Sequence, residues 1–162
     1  MHRETEQGIE WDCQKLLRQY YHYVDQREYE KAVALFTPDL DWEVMGLRVE
    51  SLEAMLDALQ NSLGSNTIRH ILTNAVVTVI DEDHATATTY CTFYYTAGAR
   101  IEDQDEPLEF EGPHRTSDGY VELVRTPDGW KIAKRRSQLI FRRNPGEPVT
   151  LEKWARSADK AT

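Results

Sequence analysis

From residue 67 to residue 141 the chain carries four long segments with the two-residue alternation and the Ile, Val, Thr, Tyr and Phe content of β-strands, and the three main helical patterns precede them. That order excludes a parallel α/β sheet, in which helices and strands must alternate, and points to an α+β fold. The strands span residues 68–80, 84–96, 115–125 and 130–141. Asp81-Glu82-Asp83 makes a turn between the first two, and Thr126-Pro127-Asp128-Gly129 is a hairpin turn between the last two. A sheet of this kind must bury one face, and the N-terminal helices are the only cover available.

Three helices are expected ahead of the long strands. Over residues 10–25, Cys13, Leu16, Leu17, Tyr20 and Val24 recur at three- and four-residue spacing. A shorter helix places Tyr29, Ala32, Val33 and Phe36 on one face and should end at Thr37-Pro38, because proline cannot continue the ladder. Leu40, Trp42 and Val44 then alternate as a half-buried strand, and Ser51 is the expected N-cap of a third helix through Leu63, stopped at Gly64. Residues 98–113 form an acidic loop read as a solvated hairpin tip. Residues 144–162 form a C-terminal tail with a short helix around Leu151 and Trp154. The whole of 1–162 reads as one domain.

Composition narrows the partners. A formal net charge of −9 repels polyanions, so no nucleic-acid partner is expected; the basic cluster Lys131, Lys134, Arg135, Arg136, Arg142 and Arg143 reads as the charged face of a strand. No apolar run approaches the ~20 residues of a membrane-spanning helix, so no membrane partner is expected, and the start MHRETEQGIE has no apolar core of a secretory signal. Cys13 and Cys91 belong to no CxxC pair, which fits a cytoplasmic location and buried, unpaired thiols. His22, His84 and His114 have no ligand-like spacing, so no metal is expected; no Gly-rich phosphate loop or G-x-S-x-G elbow occurs.

Three stretches carry a resemblance. LLRQYYHYVDQREYEKAVALFTPDLDWEV (residues 16–44) is similar to the opening of SnoaL-like proteins, in which one helix ends in an aspartate, the next in F-T/S-P-D, and a tryptophan-bearing strand follows. RHILTNAVVTV (69–79) resembles the family's R-H-x-x-T/S-N strand, and DGYVELVRTPDGWKIAKRR (118–136) its closing hairpin. The resemblance implies the NTF2-like, or cystatin-like, cone: N-terminal helices packed on a strongly curved, mostly antiparallel mixed sheet. Within that superfamily the chain most resembles the scytalone dehydratase, bile-acid dehydratase and hexachlorocyclohexane dehydrochlorinase group. These are cofactor-free lyases in which a histidine paired to an aspartate removes a proton from carbon. The resemblance puts the aspartate on Asp25, the histidine on His70 and an assisting tyrosine on Tyr20, and implies a small apolar, cyclic substrate and a homo-oligomer, dimer or trimer. A second acidic residue of bile-acid dehydratase has no counterpart near Tyr94, and the dehydrochlorinase's pocket arginine falls on none of Arg125, Arg135 and Arg136 in particular. Small β subunits of ring-hydroxylating dioxygenases share the fold, and GWKIAKRRSQLIFRR resembles their final strand, so a non-catalytic subunit is an alternative, as is a small-ligand-binding module.

The residues alone leave two readings of each site position. Asp25 at a helix C-terminus faces the negative end of the macrodipole, costing roughly 0.3–1 kcal/mol, which suggests a use; it could also pair with Arg27 or cap the next helix. His70 shares a face with Ile68, Leu72, Asn74 and Val76 if alternation holds, as a satisfied core histidine or as a base, an imidazole with reference pKa ~6.5 being usable near neutrality. The helical wheel prefers Tyr21 as neighbour of Asp25. Asn74 either meets substrate or satisfies a strand bulge. Trp42, Phe93, Tyr94 and Phe141 would line a pocket if they face inward. Tyr21, Trp42, Asn74 and Tyr94 are thus the substrate-binding candidates.

Overall fold

The computed structural model describes residues 3–44, 46–63, 66–96, 98, 100–103, 105–109 and 112–143. Helix α1 spans Arg3–Asp25 and buries Ile9, Cys13, Leu16, Leu17, Tyr20, Tyr21 and Val24 along one stripe. It starts a full two turns before its apolar pattern, over exposed polar residues 5–8, because helix propagation needs no burial once the stripe is docked. Its end is a Schellman cap: Glu28 N–H donates to Tyr23 O and Arg27 N–H to Val24 O, with Arg27 in the left-handed region at φ 60°. The Arg27 guanidinium donates to Asn66 O, which ties the end of α1 to the residue before the first long strand.

Helix α2, Tyr29–Val33, stops earlier than its stripe suggests, and Phe36 opens strand β1, Phe36–Val44. Pro38 therefore does not terminate a helix. It sits exposed within β1, where pairing to the neighbouring strand slips between Phe36 and Asp41, as suits a residue with no N–H for the ladder. Gly46, at φ 83°, precedes a short strand β2, Leu47–Val49, which has no alternating signature and was not expected. Helix α3, Leu52–Leu63, is capped as expected, Ser51 Oγ accepting the Ala54 N–H at 3.1 Å. The expected stop at Gly64 lies outside the described residues, as does the tail 144–162.

Strands β3 (Thr67–Val79), β4 (His84–Thr96), β5 (Arg115–Thr126) and β6 (Gly129–Arg142) follow. The sheet order is β2-β1-β6-β5-β4-β3, antiparallel throughout except for the parallel β1–β6 pair. It is a six-stranded mixed sheet, not closed, with α1 packed along β3 and reaching β6, and α3 against β1. Within the acidic loop the described part is partly tied down: Gly98 N–H donates to Asn66 Oδ1, and a 3-10 turn, Ile101–Asp103, anchors its first N–H on Thr67 Oγ1.

Two of the register slips bear directly on which residues face the helices. In β3 the register slips by one residue between Thr73 and Val76, with Asn74 at φ 50°. Ile68 and, beyond the bulge, Val77 are buried, whereas Val76 is 60 % exposed; the expected common face of His70, Asn74 and Val76 is broken there. In β6 a second slip, between the Glu122–Lys134 and Leu123–Ile132 pairs, changes the inward set from Trp130 and Ile132 to Arg135.

Candidate functional site

One cavity, with a volume of about 90 Å³, lies between the helices and the sheet. It is lined by α1, β1, α3 and all four long strands, so the sheet must curl around it. Its walls are mostly apolar, among them Val24, Leu59, Ile68 and Leu139. The polar groups that enter are few and convergent, the pattern of a ligand site.

Asp25 and His70 meet at its edge. Asp25 Oδ1 lies 2.6 Å from His70 Nδ1, and Oδ2 accepts the His70 backbone N–H at 2.8 Å. The carboxylate is thus held by a fork in which one arm, the backbone donor, cannot rotate. Both side chains are largely shielded, 9 % exposed for Asp25 and 14 % for His70. An ionised carboxylate only accepts, so Nδ1 carries the proton and Nε2 the lone pair. Nε2 has no hydrogen-bond partner among the described residues, and His70 lines the cavity. The alternative use of Asp25, pairing with Arg27, is not taken; Arg27 turns to Asn66 and Tyr29. Arg69, next to His70, reaches the Asp25 backbone O at 3.4 Å and places a cation at the negative end of α1.

Tyr20 and Tyr21 both line the cavity. The Tyr21 ring lies 4.9 Å from the His70 ring, and its hydroxyl accepts from Arg135 Nη2 at 2.5 Å. Tyr20 packs edge-on against Tyr21 and Phe36, and its hydroxyl makes no hydrogen bond among the described residues. Burial pushes both phenols above their ordinary range despite the nearby Arg135 cation, so both remain protonated donors. The Arg135 guanidinium, 5 % exposed, sits 5.1 and 5.3 Å from the Tyr20 and Tyr21 ring centroids and forms no ion pair among the described residues. The two phenols hold its pKa up against burial. Trp42 lines the cavity with its indole N–H unpartnered.

Three expected contacts are absent from the cavity lining. Asn74 is exposed at the β3 bulge, the second of the uses weighed for it. Tyr94 follows the inward Phe93 and turns to the other face. Phe141 is 69 % exposed and does not line the cavity either. Arg115, at the start of β5, enters the cavity without having been singled out by sequence, as do Ser117 and Ser137. Of the three arginines left open, Arg135 is the one inside. Arg125 stacks on Trp130, and Arg136 pairs with Asp41 and Glu43.

Helices over one face of an open mixed sheet, with a polar-tipped cavity between them, define the cystatin-like, NTF2-like class of α+β proteins. The chain belongs to the SnoaL-like domain family, whose model matches residues 9–136. An uncharacterised protein of Mycobacterium tuberculosis is 30 % identical over 135 residues, covering 82 % of this chain and 86 % of that protein. Among solved structures, a candidate scytalone dehydratase from Novosphingobium aromaticivorans is similar with a TM-score of 0.73 at 12 % identity, covering 90 % and 93 % of the two chains. A candidate aromatic ring hydroxylase from the same organism gives 0.64 at 19 % identity, covering 82 % and 89 %. At these identities the structural likenesses speak to the fold alone. No helix among the described residues is long and apolar enough to cross a membrane.

Proposed function

We propose that the protein is a cofactor-independent lyase or isomerase in which His70 removes a proton from carbon in a small, mainly apolar substrate. The observation that carries this reading is the forked Asp25–His70 contact at the cavity wall, which leaves Nε2 as a lone-pair donor facing the substrate space. In the step, the C–H electrons move to the substrate and the proton to Nε2. Asp25 stabilises the imidazolium so formed, a device that contributes about 10²–10⁴-fold. The oxygen or leaving group that gains charge would find Tyr20 and Tyr21 as donors, with Arg135 behind Tyr21.

A substrate-independent test is exchange of carbon-bound hydrogen for deuterium in D₂O, followed by NMR on simple carbon acids such as 2-cyclohexenone and 1-indanone. Wild-type protein should catalyse exchange, and His70→Ala should reduce it by about 10²-fold or more. Exchange retained within a few-fold in that variant would remove His70 from the mechanism. A second reading, the non-catalytic β subunit whose final strand GWKIAKRRSQLIFRR resembles, would instead show up as stable association with a Rieske-type α subunit and no exchange at all.

A further inference from the structure

Two hydroxyls of the cavity wall take no part in the proposed proton transfer. Ser117 on β5 and Ser137 on β6 both line the cavity, and Ser117 is 8 % exposed. Neither hydroxyl hydrogen-bonds to another described residue. A hydroxyl taken out of water is costly unless something replaces its lost hydrogen bonds. Beside them stands Arg135, 5 % exposed, with one nitrogen, Nη2, given to the Tyr21 hydroxyl. These groups differ in kind: a serine hydroxyl donates and accepts, whereas a guanidinium only donates.

The register sets the three in a line. His70 pairs with Phe93 on β4, and two residues earlier on that strand Cys91 pairs with Ser117. Ser117 pairs with Leu139 and Gly119 with Ser137, so the two serines are diagonal neighbours on adjacent strands. Diagonal pairs stand about 7–8 Å apart at Cα, within reach of one bridging hydroxyl group. Gly119, on the same face, has no side chain to intervene, and a Cβ there would stand 2.5 Å from Thr89 Oγ1. Two residues before Ser137 comes Arg135, which lines the cavity with it. From His70 to Ser117 is two strand spacings and one two-residue step, about 12 Å between backbones. With both side chains reaching inward, one ring spans what remains, its C–H toward Nε2 and a substituent toward Ser117.

We propose that the cavity selects a small ring compound carrying a free hydroxyl group, held by Ser117 and Ser137 at the end remote from His70. Such a group donates to one serine oxygen and accepts from the other serine or from Arg135, which a carbonyl or an ether oxygen cannot do. The apolar walls, Val24, Leu59, Ile68 and Leu139 among them, take the ring. Which end of the ligand meets the serines rests on the general-base reading above; the preference for a hydroxyl does not.

Isothermal titration calorimetry with two matched pairs tests this without turnover: 4-hydroxycyclohexanone against 4-methylcyclohexanone, and 5-hydroxy-1-indanone against 5-methyl-1-indanone. Hydroxyl and methyl are close in size, and the methyl compound has the larger hydrophobic drive, so a hydroxyl preference reports polar partners. Wild-type protein should bind each hydroxy ketone at least about tenfold more tightly than its methyl counterpart. Ser117→Ala and Ser137→Ala should each lose part of that preference. The double variant should lose all of it and bind the methyl ketones at least as well as the wild type does. Equal or tighter binding of the methyl ketones by wild type overturns the proposal. So does a preference that survives in the double variant, or no hydroxy-ketone binding in the millimolar range. Should the double variant not fold, by far-UV circular dichroism, the single variants decide, and a preference unchanged in both overturns the assignment. His70→Ala should keep the preference; its loss there would hand the hydroxyl to His70 and overturn the serine site. Hydroxyl selectivity without any deuterium exchange would remove the general base and leave the serine site. Exchange without hydroxyl selectivity would do the reverse.

Discussion

Replacing Asp25 by Asn keeps the shape of the site and changes its proton arrangement. The native carboxylate accepts twice, from His70 Nδ1–H at 2.6 Å and from the His70 backbone N–H at 2.8 Å. An amide has a single oxygen. The backbone N–H can only donate, so the Asn oxygen stays with it and the NH₂ group turns to the ring, where Nδ1 must become the acceptor. The proton then moves to Nε2, and the lone pair leaves the cavity. We expect a rate loss of about 10²–10⁴-fold from the wrong tautomer. Stability should change far less. Two charge-assisted bonds become neutral ones, a loss of about 1 kcal/mol each, while removing a negative charge from the C-terminus of α1 returns roughly 0.3–1 kcal/mol. The net cost is about 1–2 kcal/mol, or a fall in Tm of roughly 2–8 °C for a chain of this size. Long-range ¹H–¹⁵N NMR of neutral His70 reads the tautomer directly. An Nε2–H ring in the wild type, or the same tautomer in both proteins, would refute the reasoning.

His114 stacks beside Tyr95, and burial together with the neighbouring Arg115 holds its pKa below the ordinary 6.5. The native state therefore resists protonation, and stability is lost as pH falls below about 6.5, where the unfolded chain takes up the proton first. His114→Gln should show a smaller drop in Tm between pH 7.5 and 5.5 than the wild type, and equal slopes would count against the assignment. Gly119 has no room for a side chain: a Cβ there would stand 2.5 Å from Oγ1 of Thr89, itself 2 % exposed. Gly119→Ala should cost about 1–3 kcal/mol in urea unfolding, and most of that should be recovered in a Thr89→Ala background. Simple additivity of the two changes would contradict the contact.

Much of the fold was legible because its signals are local. The stripe of α1, the cap at Ser51 and the turn at Asp128-Gly129 each announce themselves within a few residues, and the order of elements excluded a parallel sheet. What failed was phase and pairing. Strand β2 is three residues long and exists because β1 offers it an edge. Pro38 reads as a helix stop, yet lies in a strand whose partner is nearly a hundred residues away. The meeting of Asp25 with His70 joins the end of a helix to a strand 45 residues on, which no spacing rule supplies; it came from the family resemblance. Arg135 could not be separated from Arg136 because the slip beside it is invisible in composition, and Arg115 stood at a strand start with nothing local to mark it. Asn74 was assigned two uses, and the left-handed backbone there selects the bulge.

Those slips in β3 and β6 divide each strand into a packing half and a chemical half. Val77 on one strand and Trp130 and Ile132 on the other fill the core, while His70 and Arg135 serve the cavity. Each joint works as a one-step gear: excising Asn74 or Ala133 would let the ladder run straight with His70, Val77, Ile132 and Arg135 all still facing inward, whereas losing a residue from a regular stretch would exchange inner and outer side chains up to the joint. These two joints are consequently positions at which the loss of a single residue disturbs the inward set least while leaving the topology untouched.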